Sequence, residues 1–409
     1  MELLSPAGNL EKLKFAYAYG ADAAYIGMEE FSLRTRAGNV SDGQIEQLKQ
    51  VKQHRKLYGA INSFFHEKDI TRLEERLEVI AQYPFDAFIV SDLGAADILK
   101  KRFPHIELHL STQANCTNGA TAKVYRDFGF SRIILGRETS LDDIKRIKDS
   151  VKDLELEVFV HGAMCMAYSG RCFLSAFMTG RSANQGDCAH ACRWDYRLVE
   201  HKGYERGLAL EESQRPGEYF PVYEKDGVTT ILSSKDLCMI DHLDTIKESG
   251  VDSIKIEGRM KSLYYVATTT RSYRKALDYL EKKTDHDTFS SFRDELFHVS
   301  HREYTTGFFF GHEDVQTHTE QGYLKDYLFI GSLGSPVSDN VYPLFLKNPL
   351  AEHTMIEFIG PDVLFIEDES FELLDKDLQP IQKLNHHCTG YIRTKANVGE
   401  GFIIRRCIS

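Results

Sequence analysis

Over roughly the first 160 residues, short apolar runs alternate with longer stretches whose apolar residues recur every three or four positions. The short runs span 3–6, 23–27, 57–62, 87–92, 106–113, 132–136 and 156–162, and each ends in a polar turn. Their length and β-branched content suit buried strands. The stretches between them, such as 9–19, 42–54, 70–82 and 141–151, carry a helical period. Thr139-Ser140 before Leu141-Asp142-Asp143 reads as a capped helix start, with acids at the positive end of the dipole. Strand–helix alternation predicts parallel strands joined by right-handed crossovers, and so a TIM-barrel-like (β/α) domain. Runs at 230–234 and 253–257 flank a helix at 239–249, which brings the strand candidates to nine, one more than an eight-stranded barrel holds. One strand therefore lies off the barrel, or closure is irregular. A doubly wound open sheet is the alternative, but no Gly-x-Gly-x-x-Gly turn follows a strand.

Further along, 196–223 reads as an inserted hairpin, with strands 196–200 and 219–223 around a polar loop containing Pro216-Gly217. Helices follow at 263–283 and 288–298. From about Gly307 the pattern changes to short runs at 308–310, 327–333, 342–346, 354–359, 363–366, 390–394 and 401–405, separated by Gly, Pro or Asn turns. That predicts a small all-β domain, a barrel or a sandwich. The expected organisation is a TIM-barrel-like domain over 1–305, with a cysteine segment at 161–195 and an inserted hairpin at 196–228, then an all-β domain over 306–409.

No stretch approaches the roughly 18 uninterrupted apolar residues of a membrane span, so none is expected. Met1-Glu2 runs straight into the first strand without a basic and then apolar leader, and a cytoplasmic location is expected. The formal net charge of -11 argues against non-specific nucleic-acid binding. It leaves a local basic surface open, with Arg34 and Arg36, Arg259 and Lys261, and Arg405 and Arg406 as contributors. Each pair reads more readily as solvated or ion-paired charge.

Four of the eight cysteines, Cys165, Cys172, Cys188 and Cys192, fall within 28 positions in the spacing C-x6-C-x15-C-x3-C. In a reducing compartment such clustering points to metal or redox chemistry rather than disulfides. Four thiolates suit a [4Fe–4S] cluster, one per iron, and they also suit a tetrahedral zinc. The six-residue gap fits a zinc knuckle poorly, and four unrelated buried thiols are the third reading. The segment leaves the end of a barrel strand directly, and barrel chemistry sits at the C-terminal ends of strands. Asn62, Asp92, Thr112, Gln113, Arg137, Glu138, His161, Lys235, Asp236, Glu257 and Arg259 converge on the same face. Each also reads as a helix cap, an ion pair or a strand-end hydrogen bond. Gln113, Arg137, His161, Glu257 and Arg259 are the catalytic candidates.

The run HGAMCMAYSGRCFLSAFMTGRSANQGDCAHACRWDYRL closely resembles the signature of the U32 peptidase-like family. So do the opening ELLSPAGNLEKLKFAYAYGADAAYIG and the stretches STQANCTN, LSSKDLC and IKIEGRMKS. The resemblance covers Met1 to about Gly311, and the β-rich tail resembles the C-terminal domain of longer members. It implies a TIM-barrel-like fold and a [4Fe–4S] cluster on Cys165, Cys172, Cys188 and Cys192. The family carries a collagenase-like peptidase label, yet this sequence has neither a Gly-x-Ser-x-Gly elbow nor a His-Glu-x-x-His helix. Better-understood relatives are oxygen-independent hydroxylases. One branch converts the wobble uridine of tRNA to 5-hydroxyuridine, drawing on prephenate. Another acts on a cytidine of ribosomal RNA, and a third on the ubiquinone ring. The layout of one barrel plus one β tail is most similar to the tRNA branch. That implies tRNA, prephenate and an electron donor as partners. A U32-type peptidase, a ribosomal-RNA hydroxylase and a binding protein with a structural metal are the alternatives. Chemistry on a base requires taking it out of its stack. Phe64, Phe65, Tyr168 and Trp194 are candidates to receive it, although an aromatic near a strand end is more commonly core.

Overall fold

The computed structural model describes residues 1–28, 30–32, 39–164, 168, 172, 174–181, 183, 187–194, 196–200, 208–213, 216–217, 219–221, 224–225, 228–229, 235–311, 324–386 and 388–408. Six strand–helix units open the chain. They are β1 (Glu2–Pro6) with α1 (Leu10–Ala18), β2 (Ala23–Gly27) with α2 (Ile45–Lys52), and β3 (Lys56–Ile61) with α3 (Glu67–Ile80). The next are β4 (Ala87–Val90) with α4 (Leu93–Arg102), β5 (Glu107–Leu110) with α5 (Gly119–Phe128), and β6 (Arg132–Ile134) with α6 (Leu141–Ser150). Ser140 caps α6 as the sequence suggests, and Asn9, Asp92 and Asn118 likewise cap α1, α4 and α5, each accepting a backbone N–H from the first turn.

β7 (Glu155–Ala163) is followed by α7 (Leu174–Thr179), the short strands β8 (Tyr196–Glu200), β9 (Leu208–Glu212), β10 (Tyr219–Pro221), β11 (Glu224–Lys225) and β12 (Val228–Thr229), then β13 (Asp236–Cys238) and α8 (Leu243–Glu248). The chain then returns to the barrel in β14 (Ser253–Ile256) and continues through α9 (Leu263–Leu280), α10 (His286–Asp294) and β15 (Tyr304–Thr305). All neighbouring pairs among β1–β7 are parallel, and β14 pairs in parallel with both β1 and β7. The result is a closed eight-stranded barrel, so the open-sheet alternative falls. The surplus candidate, 230–234, lies outside the described residues. The neighbouring strand β13 runs antiparallel to the end of β7 and continues the sheet off the barrel.

Two expectations need correction. The inserted hairpin is a three-stranded meander, because β9 lies between β8 and β10 and pairs with both. Its Leu208-Ala209-Leu210 alternation is short and sits among charges, which hid it in the sequence. Residues 308–310 form a turn rather than a strand. Phe309 is buried in the barrel's core, and its carbonyl accepts from Leu141 N–H at 2.9 Å.

The tail comprises β16 (Tyr327–Leu333), β17 (Val341–Leu346), β18 (Leu350–Ala351), β19 (Ile356–Ile359), β20 (Ile366–Asp368), β21 (Glu372–Leu374), β22 (Lys383–Leu384), β23 (Gly390–Arg393) and β24 (Ile403–Cys407). Seven strands form one antiparallel sheet in the order β20-β19-β24-β16-β17-β23-β21, around a core of its own that includes Ile330, Leu344, Phe358, Leu373 and Ile392. The tail is locked to the barrel by buried charge. Arg405 on β24 meets Glu295 at 2.6 Å and Glu357 at 2.7 Å, and Arg271 on α9 meets the same Glu295 at 2.6 Å. Arg271 also donates to the Gly360 and Val363 carbonyls, and Tyr19 to those of Ile359 and Gly401. Arg405 therefore cannot serve a basic surface. It is 1 % exposed and spent on two carboxylates.

Candidate active site

Charged residues line the barrel interior from bottom to mouth. At the N-terminal end of the strands Arg132 pairs with Glu2 and, at 3.0 Å, with Glu157. Tyr58 and Ser253 donate to Glu2 at 2.8 and 3.1 Å. One layer higher, the Lys255 ammonium lies 3.0 Å from Glu157 and 4.4 Å from the centre of the Tyr25 ring. Burial alone would raise the Glu157 carboxyl, but Lys255 and Arg132 together hold it below its ordinary range. Above this layer Arg137 stacks on Phe159 at 4.0 Å and approaches Glu257 at 3.6 Å. Arg259 completes the mouth, 3 % exposed. A Cβ on Gly27 would lie 2.2 Å from its Nη1, so the guanidinium occupies the space that glycine leaves.

Arg137 and Glu257 are thus brought together, while Arg259 lies against Tyr25 and Gly27. Gln113 sits in the single turn 112–114 that follows β5 at the same end of the barrel. Other strand-end residues are structural. Asp92 caps α4, Thr112 donates to the Leu135 carbonyl, and Asp236 pairs with Arg302 at 2.7 Å. Lys255, Glu157 and Arg132 were missed. The alternation in Ile254-Lys255-Ile256-Glu257 is the signal that could have placed Lys255 inward. Of the basic surface contributors, Arg259 is buried, Lys261 donates to the Ser300 carbonyl at 3.2 Å, and Arg34 and Arg36 lie outside the described residues.

His161, near the end of β7, is 1 % exposed and ringed by Tyr265, Tyr273 and Tyr304, with ring centres 5.4–5.9 Å away. The Tyr273 hydroxyl donates its proton to the Val160 carbonyl at 2.8 Å. The His161 Nδ1 at 3.4 Å from that hydroxyl must therefore carry the hydrogen it shares. Nε2 is left as a bare lone pair with no partner among the described residues. Burial pushes the imidazole down to about 3, against the pull of Asp236, so it is neutral at ordinary pH. Immediately after it, Gly162 takes a φ of 103° and packs against the Glu257 carbonyl, in space that a Cβ would fill.

Cys165 lies outside the described residues. Cys172, Cys188 and Cys192 are each partly exposed. No three described His, Cys, Asp or Glu residues form a group placed to hold a metal. The scaffold around the thiols is built nonetheless. Ser175 on α7 is buried, accepts from Ala189 N–H at 2.9 Å and donates to the Arg181 carbonyl. Arg181 reaches Asp187 and the Cys188 carbonyl. Trp194 donates to the Ala189 carbonyl at 3.1 Å. His190, at φ 55°, points its N–H at Cys188 Sγ, 3.4 Å away. A soft donor set whose sulfur already receives a backbone N–H fits an iron–sulfur ligand. Of the aromatic candidates, Phe65 stacks on Phe31 as core packing, while Tyr168 is 57 % exposed.

The sequence profile of peptidase family U32 matches residues 8–319. The chain belongs to this family. Several known proteins are similar to it. The tRNA hydroxylation protein P of Escherichia coli is 38% identical, over 88% of this chain and 86% of its own. The tRNA hydroxylation protein P1 of Bacillus subtilis is 36% identical, over 93% and 90%. The 23S rRNA 5-hydroxycytidine C2501 synthase of E. coli is 36% identical, over 83% of this chain and 49% of its own.

Proposed function

We propose that this U32 protein hydroxylates the wobble uridine of tRNA to 5-hydroxyuridine without molecular oxygen, in the cytoplasm, where its substrate is found. The observation that carries this reading is the end-to-end likeness, barrel and tail together, to relatives named for tRNA hydroxylation. The chemistry of the barrel supports it. The mouth offers Arg137 beside Glu257 and Arg259 against Tyr25, cations suited to a carboxylated co-substrate such as prephenate. The bare Nε2 of the neutral His161 can accept a hydrogen bond from the substrate at a buried position near the end of β7. Glu257 and Arg137 together can orient the edge of an extruded base. Cys165, Cys172, Cys188 and Cys192 would hold a [4Fe–4S] cluster, which when bound would supply one-electron chemistry; the hydroxylated co-substrate would give up its hydroxyl and take the hydrogen and the two electrons that the uridine ring loses.

The test is nucleoside mass spectrometry of bulk tRNA from a strain lacking this gene and any paralogue. 5-Hydroxyuridine and its further-modified derivatives should disappear. Unchanged levels defeat the proposal. Loss of hydroxycytidine from ribosomal RNA instead moves the assignment to that substrate.

A further inference from the structure

The tail carries an outward-facing groove of about 270 Å3 whose lining includes Pro343, Phe345, Lys347, Cys388 and Tyr391. Strand alternation creates it. Tyr342, Leu344 and Leu346 on β17 enter the tail's core, so Pro343 and Phe345 face the other way. Ile392 on β23 enters the same core, and Tyr391 stands directly across from Pro343. Phe345 is 55 % exposed, a large ring left in water on a regular strand. The volume falls just under the roughly 300–1,000 Å3 of whole small-ligand pockets, and a single base is the better match.

The groove also lies beside the barrel mouth. Lys347, at the end of β17, has its ammonium 3.8 Å from Glu11 in the first turn of α1. The adjacent Lys12 donates to the carbonyl of Arg259, the residue that completes the mouth, at 3.3 Å. One helical turn therefore separates the groove from the catalytic candidates.

We propose that this groove stacks an unpaired base of the RNA next to the nucleotide that enters the barrel. This rests on the RNA reading above and adds a second contact to it. Stacking on Phe345 and Tyr391 needs no basic field, which suits a chain with a net charge of -11. Lys347 at one end of the groove, half-exposed beside Glu11, would exchange that carboxylate for the neighbouring phosphate.

The experiment measures binding of an unmodified tRNA transcript to the full chain. Phe345→Ala should weaken it roughly tenfold, from the usual worth of one stacked base. Phe345→Trp should hold it near the unaltered value. Phe365→Ala removes an equally exposed ring, 45 % exposed, elsewhere in the tail and should change nothing. As a second readout, the transcript should slow maleimide labelling of Cys388 but not of Cys407, both exposed thiols, as read by peptide mass spectrometry. Unchanged affinity in Phe345→Ala, or equal protection of both thiols, overturns the stacking site and leaves the face to protein contacts. If the unaltered chain does not bind tRNA at all, the RNA reading itself falls.

Discussion

The neutral imidazole of His161 has a consequence for acid stability. Its ordinary value is about 6.5, and burial takes it to about 3. Between those values the unfolded chain binds a proton that the native chain refuses, so stability falls as pH drops through that window. The slope is at most about 1.4 kcal/mol per pH unit. The groups facing it are Asp236, Lys261 and His301, of which only Asp236 favours the charged ring. Between pH 7 and 4.5 in denaturant titrations, the unaltered chain should therefore lose about 3 kcal/mol more than His161→Gln. Equal losses would show that the ring is protonated in the native state. The four clustered cysteines make a sharper prediction. Protein purified without oxygen should be brown, with absorption near ~400 nm and about four irons per chain. Cys165→Ala, Cys172→Ala, Cys188→Ala and Cys192→Ala should each lose that iron, whereas Cys388→Ala and Cys407→Ala, exposed and outside the cluster in sequence, should keep it. A clustered variant that retains full iron removes that residue from the ligand set.

Among the elements, the contact between tail and barrel changes what a truncation can mean. Ile359 and Ile403 of the tail belong to the barrel's core, and Phe329 stacks on Tyr264 of α9. Deletion from residue 312 would expose that surface and strip Arg271 of its carbonyl partners, so it tests stability before it tests RNA binding. Arg405→Leu isolates the ionic part. It leaves Glu357 and half of the Glu295 pairing without a cation, and unfolding free energy should drop by roughly 3–5 kcal/mol. A loss under about 1 kcal/mol would mean that water reaches the cluster. The sequence read the barrel well because strand and helix periods differ, and the capping residues Asn9 and Ser140 stand where the periods change. It read the interface badly, because Arg405 beside Arg406 looks like any exposed basic pair until the fold brings Glu295 to it. The inward charges failed for a related reason. Lys255 and Glu157 alternate with apolar residues as solvent-facing charges also do, and their pairing with each other marks them as inward.

At the scale of the whole molecule, the proposed RNA binding by a chain this acidic is expected to engage few phosphates. The logarithm of tRNA affinity against the logarithm of salt should have a slope of roughly −2 to −4, since each neutralised phosphate contributes about −0.7 to −0.9. A slope near −10 would require a basic surface that the buried Arg259 and Arg405 do not provide.

The order of strands in the barrel also bears on how the protein is made. Leu3 on β1 pairs with Ile254 on β14, two partners at opposite ends of the barrel sequence. During synthesis the first seven strands can only form an open sheet, with β1 and β7 as unpaired edges. Everything between β7 and β14, the cysteine segment included, leaves the ribosome before the last strand can close the ring. Delivery of the proposed cluster could therefore precede closure, while the future interior still faces solvent. The cell must meanwhile keep two raw strand edges from pairing with other chains, a demand that ends only when β14 arrives.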